Sequence, residues 1–181
     1  MKKIFAILAL AITSTAFAAD SFTVEGQHIN NAGAAAQQQY VLGVKKEFSG
    51  FAGDLAFSNA QTEGTNALST RLEAGATVAG PFGLYARAAM GQKYSNTTDF
   101  SYYSVEPGIT AAVPGVAGLT GKVGYRFRSA FDSTQNNDQT HTVRYALSYA
   151  LSKDDAVAVK YDRVNGDNNQ KVIAVAYTRG F

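Results

Sequence analysis

Eight basic and six acidic residues share a peculiarity of position: Lys45, Arg71, Arg87, Lys122, Arg126, Arg128, Arg144 and Lys160, with Glu25, Glu47, Asp54, Glu73, Glu106 and Asp162, each fall on the polar phase of a segment whose alternate residues are apolar. Brought to one enclosed space, such charges do one of two things. They line a polar passage, whose basic excess favours anions mildly, or they neutralise one another as a rigid ionic core. Catalysis is the third chemistry to weigh, and it needs a histidine or its equivalent beside a nucleophile. The sequence offers two histidines, His28 and His141, both on the apolar phase near segment ends. His141 can be grouped with Asp138 and Ser133, but no motif supports the grouping, and no enzyme activity is expected. The stretch from Asp162 to Asn169 carries oxygen ligands around Gly166 without the closing Glu and acidic spacing of an EF-hand loop, so a solvated loop is the expectation. Asn96-Thr97-Thr98 is a glycosylation triplet, a short motif of little weight by itself. With no cysteine there is neither a disulfide framework nor a thiolate zinc site, and no metal or cofactor is expected.

The elements that must position these charges are strands. Read in steps of two, the chain divides into ten segments of roughly ten residues with the period of a half-buried strand. They run from Ser21 to Gln27, Gln39 to Phe48, Phe51 to Ala60, Leu68 to Ala79, Leu84 to Tyr94, Ser101 to Val113, Leu119 to Phe131, Thr140 to Leu151, Ala156 to Val164 and Lys171 to Phe181. Tyr145, Leu147 and Tyr149 against Arg144, Ala146 and Ser148 illustrate the pattern. Gly80-Pro81-Phe82-Gly83 and Pro114-Gly115 are turn signals. The first segment and Ala32 to Ala36 match the pattern least well, which leaves eight strands open against ten.

Residues 1–18 predict a cleaved export signal: Lys2 and Lys3, an apolar run from Ile4 to Ile12, and Ala16-Phe17-Ala18 at the cleavage site. Residues 19–181 then form one barrel domain. Removing Lys2 and Lys3 brings the basic residues, 16 in all, level with the 14 acidic ones, and a neutral chain disfavours nucleic acid as a partner. The apolar content of 46% is too high for disorder. Beyond the leader no uninterrupted apolar run reaches the ~18 residues of a spanning helix, so any membrane residence has to be by strands.

Alternation alone does not decide whether the apolar face looks inward or outward; aromatic placement does. Phe22, Phe48, Phe51, Phe82, Tyr177 and Phe181 fall toward one end of the segments, and Tyr40, Phe57, Tyr94, Tyr103, Phe131, Tyr145 and Tyr161 toward the other. Two belts around an apolar band predict a barrel wall facing lipid. On the apolar phase only Lys46 and Arg179 are read as charged, both near segment ends. The links at one end are read as short, and those at the other (Asn30 to Gln38, Gln61 to Ala67, Ser95 to Phe100, Asp132 to Gln139 and Asn165 to Gln170) as longer. Small residues on the polar phase, Gly43, Gly75, Gly91, Gly108 and Gly124, suggest free volume inside.

With its leader, repeating strands and closing Val175-Ala176-Tyr177-Thr178-Arg179-Gly180-Phe181, the chain resembles the small outer-membrane β-barrels of Gram-negative bacteria, a porin-like superfamily. The resemblance implies an all-β, closed, antiparallel transmembrane barrel in an up-and-down meander, set in lipid and lipopolysaccharide. It also implies that Tyr177 and Phe181 carry the signal read by the barrel-assembly machinery. The function expected is a small passive channel for hydrophilic solutes; the alternative is a non-conducting structural or surface-contact barrel acting through its loops.

Overall fold

The structure, a computed structural model, describes residues 20–65, 67–95, 98–132, 134 and 138–181. The leader, Ser133 and the Asn96-Thr97 half of the glycosylation triplet lie outside them. Ten strands form: β1 (Ser21–Asn31), β2 (Gln37–Phe48), β3 (Phe51–Thr62), β4 (Leu68–Ala79), β5 (Leu84–Ser95), β6 (Phe100–Ala112), β7 (Leu119–Ala130), β8 (Thr140–Ala150), β9 (Asp155–Gly166) and β10 (Gln170–Gly180). Each pairs antiparallel with its sequence neighbours, and β1 pairs with β10, so the sheet closes as a barrel and keeps no edge. Ten strands, not eight, is the count.

Closure runs the full length of the first and last strands, from Ser21 opposite Gly180 to Asn31 opposite Gln170. Thr23 and Thr178 join hydroxyls across this seam at 2.8 Å. Phe181 lies one residue past β10; its backbone N–H donates to the Asp20 carbonyl at 3.1 Å while its ring is 80% exposed.

The turns at this end are dictated by local residues. Ser49-Gly50 reverses the chain in two residues because Gly50 adopts φ 90°, and the flanking Phe48 and Phe51 stack with ring centroids 4.7 Å apart. Pro81–Gly83 makes one 3₁₀ turn between β4 and β5.

At the opposite end the strands outrun their expected limits. β1 reaches Asn31, β3 reaches Thr62 and β9 reaches Gly166, so the ends of four of the five polar stretches read as loops are strand. The expected contrast in loop length therefore largely disappears: only the connection 131–139 is long, and the turn 113–118 at the other end exceeds several of the presumed long loops. Backbone pairing with a neighbour satisfies the amides of a polar segment as well as water does, so Gln, Asn and Thr did not end these strands.

Leu55, Leu72, Met90, Val105, Leu147, Val159 and Val175 are all exposed on the outer wall. No helix among the described residues is long and apolar enough to cross a membrane. Phe22, Phe48, Phe51 and Phe82 gather at the end that carries both termini. The other belt is looser than expected, because Phe57, Tyr145 and Tyr161 stand mid-strand. The outer wall also carries Arg163 and Lys171, opposite each other on β9 and β10, and Asp155, none of which its alternation pattern had assigned there.

Candidate functional site: the charged barrel interior

Strand pleating sends alternate residues inward, and every charged residue assigned to the polar phase sits on the inward phase of its strand: Glu25 on β1, Lys45 and Glu47 on β2, Asp54 on β3, Arg71 and Glu73 on β4, Arg87 on β5, Glu106 on β6, Lys122, Arg126 and Arg128 on β7, Arg144 on β8, and Lys160 and Asp162 on β9. They form two principal clusters with satellite pairs.

The first cluster centres on Arg87. Its Nε donates to Asp54 Oδ1 at 3.1 Å and its Nη2 to Asp54 Oδ2 at 2.5 Å, a two-pronged contact two strands away. The same Nη2 lies 2.8 Å from Glu73 Oε1. Tyr102 donates its hydroxyl to Glu73 Oε2 at 3.0 Å.

The second cluster centres on Glu106, only 2% exposed. Arg144 Nη1 meets Glu106 Oε2 at 2.9 Å and Arg144 Nη2 meets Asp162 Oδ2 at 3.0 Å. Tyr85 donates to Glu106 Oε1 at 2.9 Å, and Lys122 Nζ stands 3.5 Å from the same oxygen and 4.1 Å from the centre of the Tyr85 ring. Lys160 pairs with Glu25, Lys45 with Glu47, and Arg128 with Asp138 at 2.6 Å. Arg126 has no carboxylate within ion-pair distance, although Glu73 and Asp162 act on it across the interior; its Nε is buried and unpartnered.

Sequence reasoning missed Lys93, Tyr85, Tyr102 and Asp138. Parity was the available signal for Lys93, which shares its phase with Arg87 and Gly91 on β5. Tyr85 and Tyr102 have the inward parity too, but they carry no charge and were assigned to neither face. Asp138 comes from a loop, where parity says nothing.

The interior glycines leave less room than expected. A side chain at Gly75 would collide with the Arg87 guanidinium, one at Gly91 with the Tyr102 ring, and one at either Gly108 or Gly124 with Tyr85. Of these five only Gly43 would accept a methyl without a clash, in ordinary contact 3.8 Å from the Leu55 carbonyl oxygen and 3.9 Å from Thr23 Cβ. The glycines are sockets for large polar side chains. The interior is accordingly narrow: Glu106 at mid-strand, and Tyr102, Thr140 and Thr142 nearer the loop end, are essentially inaccessible. At the loop end a polar cavity of about 240 Å³ opens among Gln37, Arg71, Lys93, Ser95, Thr98 and Arg128.

No catalytic grouping assembles among the described residues. His141 points outward, its Nδ1 2.7 Å from the Tyr125 hydroxyl, whereas Asp138 points inward to Arg128. His28 is also external, against Gln38. Asp162 and Asp167 diverge, the first toward Arg144 and the second accepting the Gln139 N–H at 2.7 Å, so they make no common cation site.

These features define a class: a small, closed, ten-stranded barrel with an apolar wall and an ionised interior, the fold of porin-like outer-membrane barrels. Among solved structures the chain is similar to the NanC porin, with TM-score 0.57 and 9% identity over 88% of this chain and 100% of that one. It is similar also to the translocator domain of the autotransporter NalP from Neisseria meningitidis, with TM-score 0.54 and 8% identity over 99% and 94%. A third is the KdgM porin, with TM-score 0.51 and 12% identity over 88% and 99%. At such identities the likeness is one of fold. No family model and no curated protein matches the chain.

Proposed function

We propose that the protein is an outer-membrane barrel acting as a narrow passive channel for small hydrophilic solutes. The observation that carries this reading is the sorting of polarity across the wall: exposed aliphatic and aromatic side chains outside, and clustered charges inside with a polar cavity at the loop end. An apolar exterior of this extent is matched by lipid, not water. The likeness in fold to porins supports the same environment. Lys45, Glu47, Asp54, Arg71, Glu73, Arg87, Glu106, Lys122, Arg126, Arg128, Arg144, Lys160 and Asp162 are the pore-lining residues of this proposal, with Arg87, Arg126 and Arg144 at its constriction. The leader directs export, the termini face the periplasm, and lipid with lipopolysaccharide surrounds the wall. Tyr177 and Phe181 serve recognition by the assembly machinery. The chain is not an enzyme in this reading.

Planar-bilayer recording of the refolded chain from residue 19 tests it. Small discrete conductance steps are expected, altered by Arg126→Ala; a membrane that stays at its lipid baseline refutes the channel. The inaccessible Tyr102, Thr140 and Thr142 favour one second reading, a non-conducting structural or surface-contact barrel. That reading predicts the silent bilayer and a phenotype lost when the loops are trimmed.

A further inference from the structure

Among the described residues ion pairing leaves three interior cations over, Arg126, Arg71 and Lys93, the last with Asp138 acting on it only at longer range. Arg87 is matched by Asp54 and Glu73, Arg144 and Lys122 by Glu106 and Asp162, and Lys160, Lys45 and Arg128 by one carboxylate each. Arg126 lies in the field of Glu73 and Asp162. Arg71 and Lys93 have no carboxylate within 4.0 Å among the described residues, and they stand directly opposite each other on β4 and β5. A like-charged cross-strand pair weakens a sheet, yet both side chains open into the cavity at the loop end, with Arg128 on its far wall.

The cations are also held in place. Lys93 Nζ lies 5.1 Å from the centre of the Phe100 ring, and the Arg128 guanidinium lies 5.4 Å from that of Tyr102, each ring face favouring a positive charge over it. Arg128 spends one prong on Asp138, and its Nε is buried without a partner. Gln37, Ser95 and Thr98 supply neutral polar groups around the same space.

We propose that Arg71 and Lys93, with Arg128 beside them, form a binding site at the barrel mouth for the phosphate or carboxylate group of a small solute. An oxyanion placed between Arg71 and Lys93 turns their repulsion into two charge-assisted contacts, and an arginine fork suits the planar face of such a group. The site goes beyond the channel reading and does not require it, since binding at the mouth needs only the folded barrel. An excess of positive charge here draws anions to this mouth whether or not they pass through.

Titration calorimetry of the refolded barrel in zwitterionic detergent, with inorganic phosphate as the probe at low salt, measures the site directly. Saturable binding is expected, weakened by sodium chloride. The double variant Arg71→Gln/Lys93→Gln should bind roughly tenfold or more weakly, the usual effect of deleting charge-assisted contacts. Lys153→Gln, exposed in the turn between β8 and β9 at the opposite end, should leave binding unchanged. Glucose 6-phosphate should compete and glucose should not. Folding is read separately: without phosphate the double variant should unfold at or above the wild-type temperature, because a repulsion has been removed, and phosphate should raise only the wild-type midpoint. No saturable heat, equal affinity in the double variant, an equal loss in Lys153→Gln, or competition by glucose overturns the proposal. Phosphate binding with a silent bilayer keeps the site and removes the channel; conductance without phosphate binding does the reverse.

Discussion

Gly124→Ala is the smallest substitution that tests how the interior is built. Gly108 and Gly124 face each other across β6 and β7, and the Tyr85 ring lies over both, so a methyl at 124 falls on the Tyr85 oxygen. The ring has to move, and its hydrogen bond to the buried Glu106 goes with it. Losing a hydrogen bond to a charged acceptor costs about 1.5–3 kcal/mol, and crowding a filled interior typically costs about 1–3 kcal/mol. Because Glu106 keeps Arg144 and Lys122, the lower half of the combined range applies, about 2–4 kcal/mol. In a Tyr85→Ala background the ring is gone and the methyl meets only the Glu106 side chain, 3.0 Å from its Oε1, a close contact that the smaller loss of backbone freedom in alanine partly offsets, so the same change should cost at most about 1 kcal/mol. Denaturant unfolding of the four proteins in detergent, followed by far-UV circular dichroism, closes a double-mutant cycle. A coupling energy near 3 kcal/mol is expected. The chain has no tryptophan, so fluorescence would rest on tyrosine, the residue being changed. A coupling under about 0.5 kcal/mol, the level of additivity between independent sites, would refute the socket explanation.

Three further outcomes follow from other contacts. Arg87→Met leaves Asp54 and Glu73 enclosed without their cation and should destabilise the barrel by about 3–5 kcal/mol, with much of the loss recovered when Asp54→Asn and Glu73→Gln are added; denaturant midpoints check this. Deleting Phe181 removes an exposed ring whose backbone alone is bonded, so refolding in detergent should be nearly unchanged while the amount of folded barrel recovered from outer membranes falls, as heat-modifiable gel mobility reports. At the terminal rim, the Glu47 backbone N–H and then Lys46 hold the Asp20 carboxyl below the usual carboxylate range. A lowered folded-state value gives stability that is present above the unfolded value, about 3.9, and is lost as pH falls through the folded one. Asp20→Ala should therefore lower the unfolding midpoint at neutral pH, with the difference from wild type shrinking as pH falls and the folded-state carboxylate is protonated.

The fold was legible because a closed barrel writes one rule along the whole chain. Parity fixes the face, and turn residues such as Gly50 and Pro81 fix where the face restarts. The same rule placed Arg144 and Glu106 inside, but it carries no information on which inward residue meets which. That depends on stagger between strands: Arg87 reaches Asp54 two strands away, and Arg144 reaches Glu106 in the same manner. Parity also stops discriminating once strands rise beyond the apolar band. There Arg163 and Lys171 face outward, and Asn and Gln continue as strand.

The interior glycines show where composition misleads. A small residue read along one strand suggests space, whereas read around the barrel it marks the strand against which a neighbour's large side chain lies. Tyr85, Arg87 and Tyr102 each occupy room that a glycine supplies, and all three belong to hydrogen-bonded networks that need their heads at one position. An interior of this kind is stiff where charges are paired. Its adjustable part is therefore the mouth, where Arg71 and Lys93 have no ion-pair partner among the described residues and a bound anion changes the local balance most.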